Sequence, residues 1–319
     1  MIGTYSHIPV LAPRALELLS PALQADSPLL VDATLGLGGH TEMFLSSLPA
    51  LRVLGIDRDP EALEQARERL APFGDRVMFA LCRYDELGSA LDEHVPHQAP
   101  DAILFDLGVS SLHLDKPERG FSYSHDAPLD MRMNPQDDVS AADVLQSFTE
   151  ADLADLFYRL GDEKLAKRYA RAIVERRLQA PIVRTGDLVE VLQEATPYAL
   201  KDKGHPAKRV FQALRMAVNQ ELDSLARALP AAFERVAIGG RVAIMSYHSG
   251  EDRLVKRELR RLSTSSAPAG LPRELPEHRP SFREITRGAE MASAEEITSN
   301  PRSASVRLRA GEKVKEVTR

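Results

Sequence analysis

A chain of 319 residues, 43% hydrophobic and 28% charged, is long enough for one large domain and a smaller one, with the composition of a soluble protein that has a sizeable core. Its one cysteine, Cys82, excludes an internal disulfide framework and a zinc site built on several thiolates. No run approaches the roughly 20 apolar residues of a membrane span, and MIGTYSHIPVL at the start lacks the basic and apolar regions of a signal peptide, so a cytoplasmic protein is expected. The net charge of -6 is unevenly spread: residues 85–155 hold sixteen Asp/Glu against three Lys/Arg, residues 158–184 hold eight Lys/Arg against three Asp/Glu, and residues 300–319 hold six against two. Local basic patches on an acidic chain are compatible with a polyanionic partner, and equally with solvated helix faces.

In chain order, Leu29 to Leu35 (LLVDATL) reads as a buried strand ending at a glycine cluster, and residues 39–48 as a helix. Arg52 to Asp57 is a second strand; Pro60 opens a helix with Leu63, Ala66 and Leu70 at helical spacing. Val77 to Leu81 and Asp101 to Leu107 (DAILFDL) are further strands. Strands alternating with helices predict an α/β fold with a parallel, Rossmann-like sheet. Residues 108–139 then read as a long ordered loop, and from about 140 to 200 only helical periodicity remains. One helix is expected from about Pro206 to Leu229, followed by a strand at Arg241 to Tyr247, a helix through Leu262, a mobile Ser/Pro-rich loop over 263–280 and a last strand at Ser305 to Arg309. The expected domains are a discontinuous sheet domain, residues 1–135 and 206–319, and an inserted helical domain, residues 136–205.

The central motif is DATLGLGGH, Asp32 to His40. Glycines between a first strand and its helix let a ligand approach the backbone, and Asp57, 19 residues after Gly38, is placed to accept hydrogen bonds from a ribose diol. That pair alone fits a dinucleotide or S-adenosylmethionine. Asp32 would repel a pyrophosphate and suits a cationic ligand, and Thr41 stands where the dinucleotide fingerprint has its third glycine. Tyr84 and Asp106 occupy the carboxyl ends of the third and fourth strands, where ligands bind in such sheets.

The strings HIPVL (7–11), DATLGLGGHT (32–41), DLGVSS (106–111), ERGFS and PLDMRM (118–133), HPAKRVFQALRMAVNQEL (205–222), SYHSGEDRLVK (246–256) and NPRSASVRLR (300–309) together resemble the bacterial RsmH/MraW family. The resemblance spans nearly the whole chain in order. It implies a methyltransferase that uses S-adenosyl-L-methionine to methylate N4 of a cytosine in the decoding region of 16S rRNA, with the small ribosomal subunit as partner. It also implies that Gly38, Gly39, His40, Asp57, Tyr84 and Asp106 contact the donor. A further donor contact in the family is usually the glutamine of SSPQLD; the string reads SSLHLD here, which puts His113 at that cofactor-binding position, and a neutral imidazole replaces one amide hydrogen bond, not both polarities. SYHSGEDR also departs from the usual SFHSLEDR, and Gly250 for Leu is expected to loosen the following helix start.

For catalysis, Asp106 or Asp130 is expected to accept a hydrogen of the acceptor amine. For RNA, Lys208, Gln212, Arg215 and Asn219 fall on one polar stripe, with Arg132, His248 and the basic stretch as further candidates. No metal is expected, and a homodimer is compatible with the sequence. A nicotinamide-dependent oxidoreductase and a non-catalytic RNA-binding protein remain as rivals. Ser246, His248, Ser249 and Asp252 are too crowded in sequence to suggest a hydrolase triad.

Overall fold

The structure, a computed structural model, describes residues 9–200, 204–268 and 275–317. Along the chain, α1 (Ala12–Leu19) precedes β1 (Leu29–Asp32), α2 (Gly39–Ser47), β2 (Arg52–Asp57), α3 (Pro60–Leu70), β3 (Val77–Leu81), α4 (Leu87–His94) and β4 (Ala102–Asp106). Helices then follow one another: α5 (Ser111–Asp115), α6 (Ala141–Ser147), α7 (Glu150–Gly161), α8 (Ala166–Arg177), α9 (Thr185–Ala195) and α10 (Ala207–Val218). The alternation resumes with α11 (Glu221–Arg235), β5 (Arg241–Ser246), α12 (Ser249–Ser263), β6 (Phe282–Glu284), α13 (Ala294–Ser299) and β7 (Arg307–Lys313). No described helix is long and apolar enough to cross a membrane.

The chain divides into two compact units. One runs to Gly108 and resumes at Leu222; the other is Val109–Glu221. The first unit holds a seven-stranded sheet in the order β3-β2-β1-β4-β5-β7-β6, parallel from β3 to β5, with β7 antiparallel to both β5 and β6. The period of two along each strand divides the core. Leu29, Val31, Ile103 and Phe105 face α4, α11 and α12 through Leu91, Phe233 and Val255. Leu30, Leu104, Ala243 and Met245 face α1, α2 and α3 through Leu19, Phe44 and Leu63. Both faces are covered, which is why these strands are apolar throughout. The strand order reverses between β1 and β4, the switch point outside which ligands bind in open sheets.

The second unit is helical and has its own core, in which Leu153, Phe157, Tyr169, Ile173, Leu192 and Leu214 are buried together. It begins 27 residues earlier and ends 16 later than the expected 136–205, because Phe121, Leu129, Met131 and Met133 bury in this helical core, as do Val210, Phe211 and Leu214 of α10. The sequence 108–139 is irregular as expected, apart from α5 and a 3-10 turn at Pro117–Arg119.

The single helix expected over 206–229 is two, broken at Gln220, whose φ is +50°. The break follows from Asn219, which is fully buried and turns its amide away from a solvent face. Its Oδ1 accepts from the Met133 N–H at 2.8 Å, and its Nδ2 donates to the carbonyls of Met131 and Arg215, both at 2.8 Å. β7 extends to Lys313 instead of ending at Arg309. Within 263–280, residues 269–274 lie outside the described residues, as do His7 and Ile8 of the HIPVL string; Pro276–His278 is a 3-10 turn.

Candidate functional site

At the carboxyl end of β1 the chain enters a turn that the rest of the sheet holds in place. Leu35 N–H donates to the Ile56 carbonyl at 2.9 Å, and Gly36 N–H to Asp57 Oδ2 at 2.7 Å. Gly38 caps α2 with φ +77°, the left-handed region where a side chain is strained. Asp57 Oδ1 accepts from the Asp59 N–H at 2.9 Å. These two backbone contacts orient the Asp57 carboxylate at the end of β2.

Asp32 is closed off from solvent, 1% exposed. The Thr41 hydroxyl donates to its Oδ2 at 2.8 Å, and the Thr34 N–H reaches Oδ1 at 3.3 Å. Burial pushes its carboxyl up to about 6, against the opposing pull of His40, Thr41 and Thr34. Asp32 thus ties the turn to the first turn of α2, and its charge acts at a distance.

His40, also buried, lies between two acids. Its Nε2 is 3.3 Å from Asp106 Oδ2, an ionic contact without the alignment of a hydrogen bond. Burial alone would push the imidazole down; the Asp106 contact and charge, with Asp32 behind it, outweigh burial and move it up. Its Nδ1 is buried and has no hydrogen-bond partner among the described residues. A buried polar atom without a partner is costly and fits a ligand group brought to that spot. Asp106 is half-buried at the end of β4; its N–H donates to Thr34 Oγ1 at 2.6 Å, and the Tyr247 hydroxyl donates to its Oδ1 at 2.6 Å. Tyr84 opens a 3-10 turn after β3 and stands edge-on to Phe105, ring centroids 6.0 Å apart.

In the sheet unit the structure thus brings Asp32, His40 and Asp106 into one network and ties Asp57, at the end of β2, to the glycine turn through the Gly36 N–H. Thr34, Thr41 and Tyr247 complete that network; only Thr41 was noted from the sequence, as a departure from the dinucleotide fingerprint and not as a partner of Asp32. Threonine at the second and ninth residues after the strand acid was the available signal, and the tyrosine lay inside SYHSGEDR. His248 caps α12: its Nδ1 faces the Glu251 N–H at 3.4 Å, its Nε2 lies 3.1 Å from Glu251 Oε1, and Glu251 Oε2 accepts from the Tyr247 N–H at 2.8 Å. That cap holds the helix start that Gly250 was expected to loosen. Asp252 pairs with Arg309 at 2.7 Å and Arg307 at 3.1 Å, so it is bound to arginines instead of a histidine.

The helical unit treats its candidates differently. Asp130 is clasped by its own neighbour: Arg132 Nε donates to Oδ1 at 2.8 Å and Nη2 to Oδ2 at 2.6 Å, while Nη1 donates to the Asp137 carbonyl at 2.7 Å. Despite partial burial, Arg132 holds the Asp130 carboxyl below its ordinary range, which makes it a weak proton acceptor. His113 is buried, stacked on Phe121 at 4.8 Å, with Nδ1 facing the Ser110 N–H at 3.2 Å. The polar stripe of α10 is not a stripe. Asn219 is buried, Arg215 is paired with Glu221 at 2.8 Å, Gln212 is half-buried and Lys208 alone of the four is exposed.

The basic stretch is largely committed as well. Arg168 donates to the Ala195 carbonyl, and Arg177 to the Leu145 and Phe148 carbonyls. Arg159, Arg171, Arg176 and Arg184 pair with Asp155, Glu150, Glu190 and Asp126. Of the eight basic residues, Lys164 and Lys167 are exposed without such a partner among the described residues.

A family model described as the MraW methylase family matches residues 4–314. The chain belongs to that family. Among its relatives, the ribosomal RNA small subunit methyltransferase H of Clavibacter michiganensis subsp. michiganensis is 58% identical over 309 residues, covering 97% of both chains. The protein of the same name from Mycobacterium marinum is 54% identical over 318 residues, 97% of this chain and 80% of the relative. A solved rRNA methylase from Streptococcus thermophilus matches with a TM-score of 0.41 at 15% identity, over 95% of this chain and 94% of that chain. The family expected from the sequence is borne out, and so is the Rossmann-like α/β sheet.

Within this MraW family member, several of the motif strings meet as structural joints. ERGFS meets PLDMRM at Gly120, where φ is +74° and a Cβ would run into the Pro128 carbonyl. PLDMRM meets RMAVN through Asn219, which also steadies Met131 at φ +62°. SYHSGEDR meets SVRLR through Asp252 and Arg309.

Proposed function

We propose that this protein transfers the methyl group of S-adenosyl-L-methionine to N4 of a cytosine in the decoding region of 16S rRNA. The observation that carries the reading is the set of acids around the glycine turn, with Asp57 oriented by Gly36 and Asp106 by Thr34 and Tyr247. Three carboxylates at the switch point favour a cationic adenosine ligand over one carrying a pyrophosphate. The Nδ1 of His40, without a hydrogen-bond partner among the described residues, fits a polar group of that ligand. When bound, S-adenosyl-L-methionine supplies an electrophilic methyl carbon on a sulfonium sulfur.

The residues divide the remaining work. Asp57 holds the ribose hydroxyls, Tyr84 covers the adenine, and Gly38, Gly39 and His40 line the approach. A cytosine amine is a poor nucleophile because its lone pair is delocalised into the ring. Asp106, with Oδ1 fixed by Tyr247, accepts an N–H of the amine and localises that lone pair, and positioning supplies most of the rest. Asp130, bound by Arg132, is the weaker candidate for this task. The target base leaves its stack to reach the pocket. Of the RNA candidates expected from the sequence, Lys208, Lys164 and Lys167 are exposed and free to meet phosphates, whereas Arg132, Arg215 and His248 hold the fold.

Small-subunit rRNA from cells lacking the protein, treated with purified protein and donor, tests the reading by mass spectrometry. Gain of one N4-methylcytosine in the decoding region is expected. Methylation at another atom or in another RNA would refute it.

A further inference from the structure

The Tyr247 hydroxyl lies 2.6 Å from Asp106 Oδ1, while the opposite oxygen, Oδ2, lies 3.3 Å from His40 Nε2. Asp106 is further fixed by the hydrogen bond from its own N–H to Thr34. Thus one oxygen of a half-buried carboxylate is tied to a phenol from the far end of β5 and the other faces an imidazole from α2.

We propose that Tyr247 is a positioning residue, acting through Asp106: its hydroxyl fixes which oxygen of that carboxylate is offered to the acceptor amine. The proposal rests on the reading of Asp106 given above.

Tyr247 itself stays protonated through the working range, since burial, then the charge of Asp106 and its hydrogen bond, push the phenol up. The other charged or titratable groups around the pair are Asp32 of β1, His40 of α2, Glu251 of α12 and Glu296 of α13.

The test is Tyr247→Phe, which keeps the ring and removes one oxygen. Methyl transfer to small-subunit rRNA is followed against pH under single-turnover conditions, with donor affinity measured by calorimetry and folding by thermal midpoint. The expected result is a rate lower by about three- to tenfold near neutral pH, with an unchanged donor affinity. A rate profile that superimposes on the native one, in a variant with the native midpoint, overturns the proposal. Asp106→Asn separates the two levels: if that variant transfers methyl groups normally, the underlying reading of Asp106 fails. If Asp106→Asn is impaired and Tyr247→Phe is not, the positioning role alone is lost.

Discussion

The Thr41 hydroxyl donates to Asp32 Oδ2 at 2.8 Å, joining the last residue of the first strand to the first turn of the helix beyond the glycines. The bond satisfies a carboxylate that is 1% exposed and whose carboxyl is pushed up to about 6 by burial. A group raised above its ordinary 3.8 favours folding in its protonated form, so its ionisation costs stability as pH climbs through 6. The ligand-free protein carries this cost at neutral pH, and a cationic ligand nearby offsets it.

Asp32→Asn is therefore expected to raise the thermal stability of the ligand-free protein at pH 7.5 by roughly 1–2 kcal/mol. The gain shrinks as pH falls from 6 toward 4, where native Asp32 is protonated whether folded or unfolded. The same variant loses donor affinity, by roughly tenfold for one charge unit of this size. Thermal melts across pH with and without donor check both signs. Equal loss of stability at every pH would contradict the assignment.

Asn219 joins two motif strings inside the helical unit. Asn219→Ala strands the Met133 N–H and the Met131 carbonyl in a buried setting and is expected to cost about 2–4 kcal/mol. Asn219→Asp keeps the acceptor and loses the donor, so it recovers only part. Denaturant unfolding resolves the series; an alanine variant within about 0.5 kcal/mol of native would show that the joint carries little.

Lys164→Glu with Lys167→Glu removes exposed cations that hold no internal pair, whereas Arg177→Gln removes a guanidinium that caps two carbonyls. The lysine pair is expected to weaken rRNA binding and reduce its salt slope by about 2 while leaving the melting midpoint in place. Arg177→Gln should do the reverse. Salt-titrated binding and melts distinguish them, and a lysine variant with native salt dependence would remove these residues from the interface.

Much of the sheet was legible because strands β1 to β5 are apolar, bounded by turns and spaced by helices, and Asp32, Asp57 and Asp106 stand at their ends. The shorter elements were not. α1 and α4 have eight residues each and β6 three, too few periods to show a face. The network around Asp106 is assembled from residues 34, 40, 106 and 247, a proximity that only the parallel order β1-β4-β5 creates. The polar stripe of α10 misled for a similar reason. Helical spacing places Asn219 beside Arg215 and says nothing of the backbone groups of residues 131 and 133 that bury it.

The measurement that bears most directly on the account is calorimetric titration of the native protein and Asp57→Ala with S-adenosyl-L-methionine and, separately, with NAD. The account predicts that the native protein binds the sulfonium compound at one site, that Asp57→Ala binds it at least tenfold more weakly, about the value of one charged hydrogen bond, and that NAD gives no heat of binding. Saturable NAD binding with no response to S-adenosyl-L-methionine would contradict it.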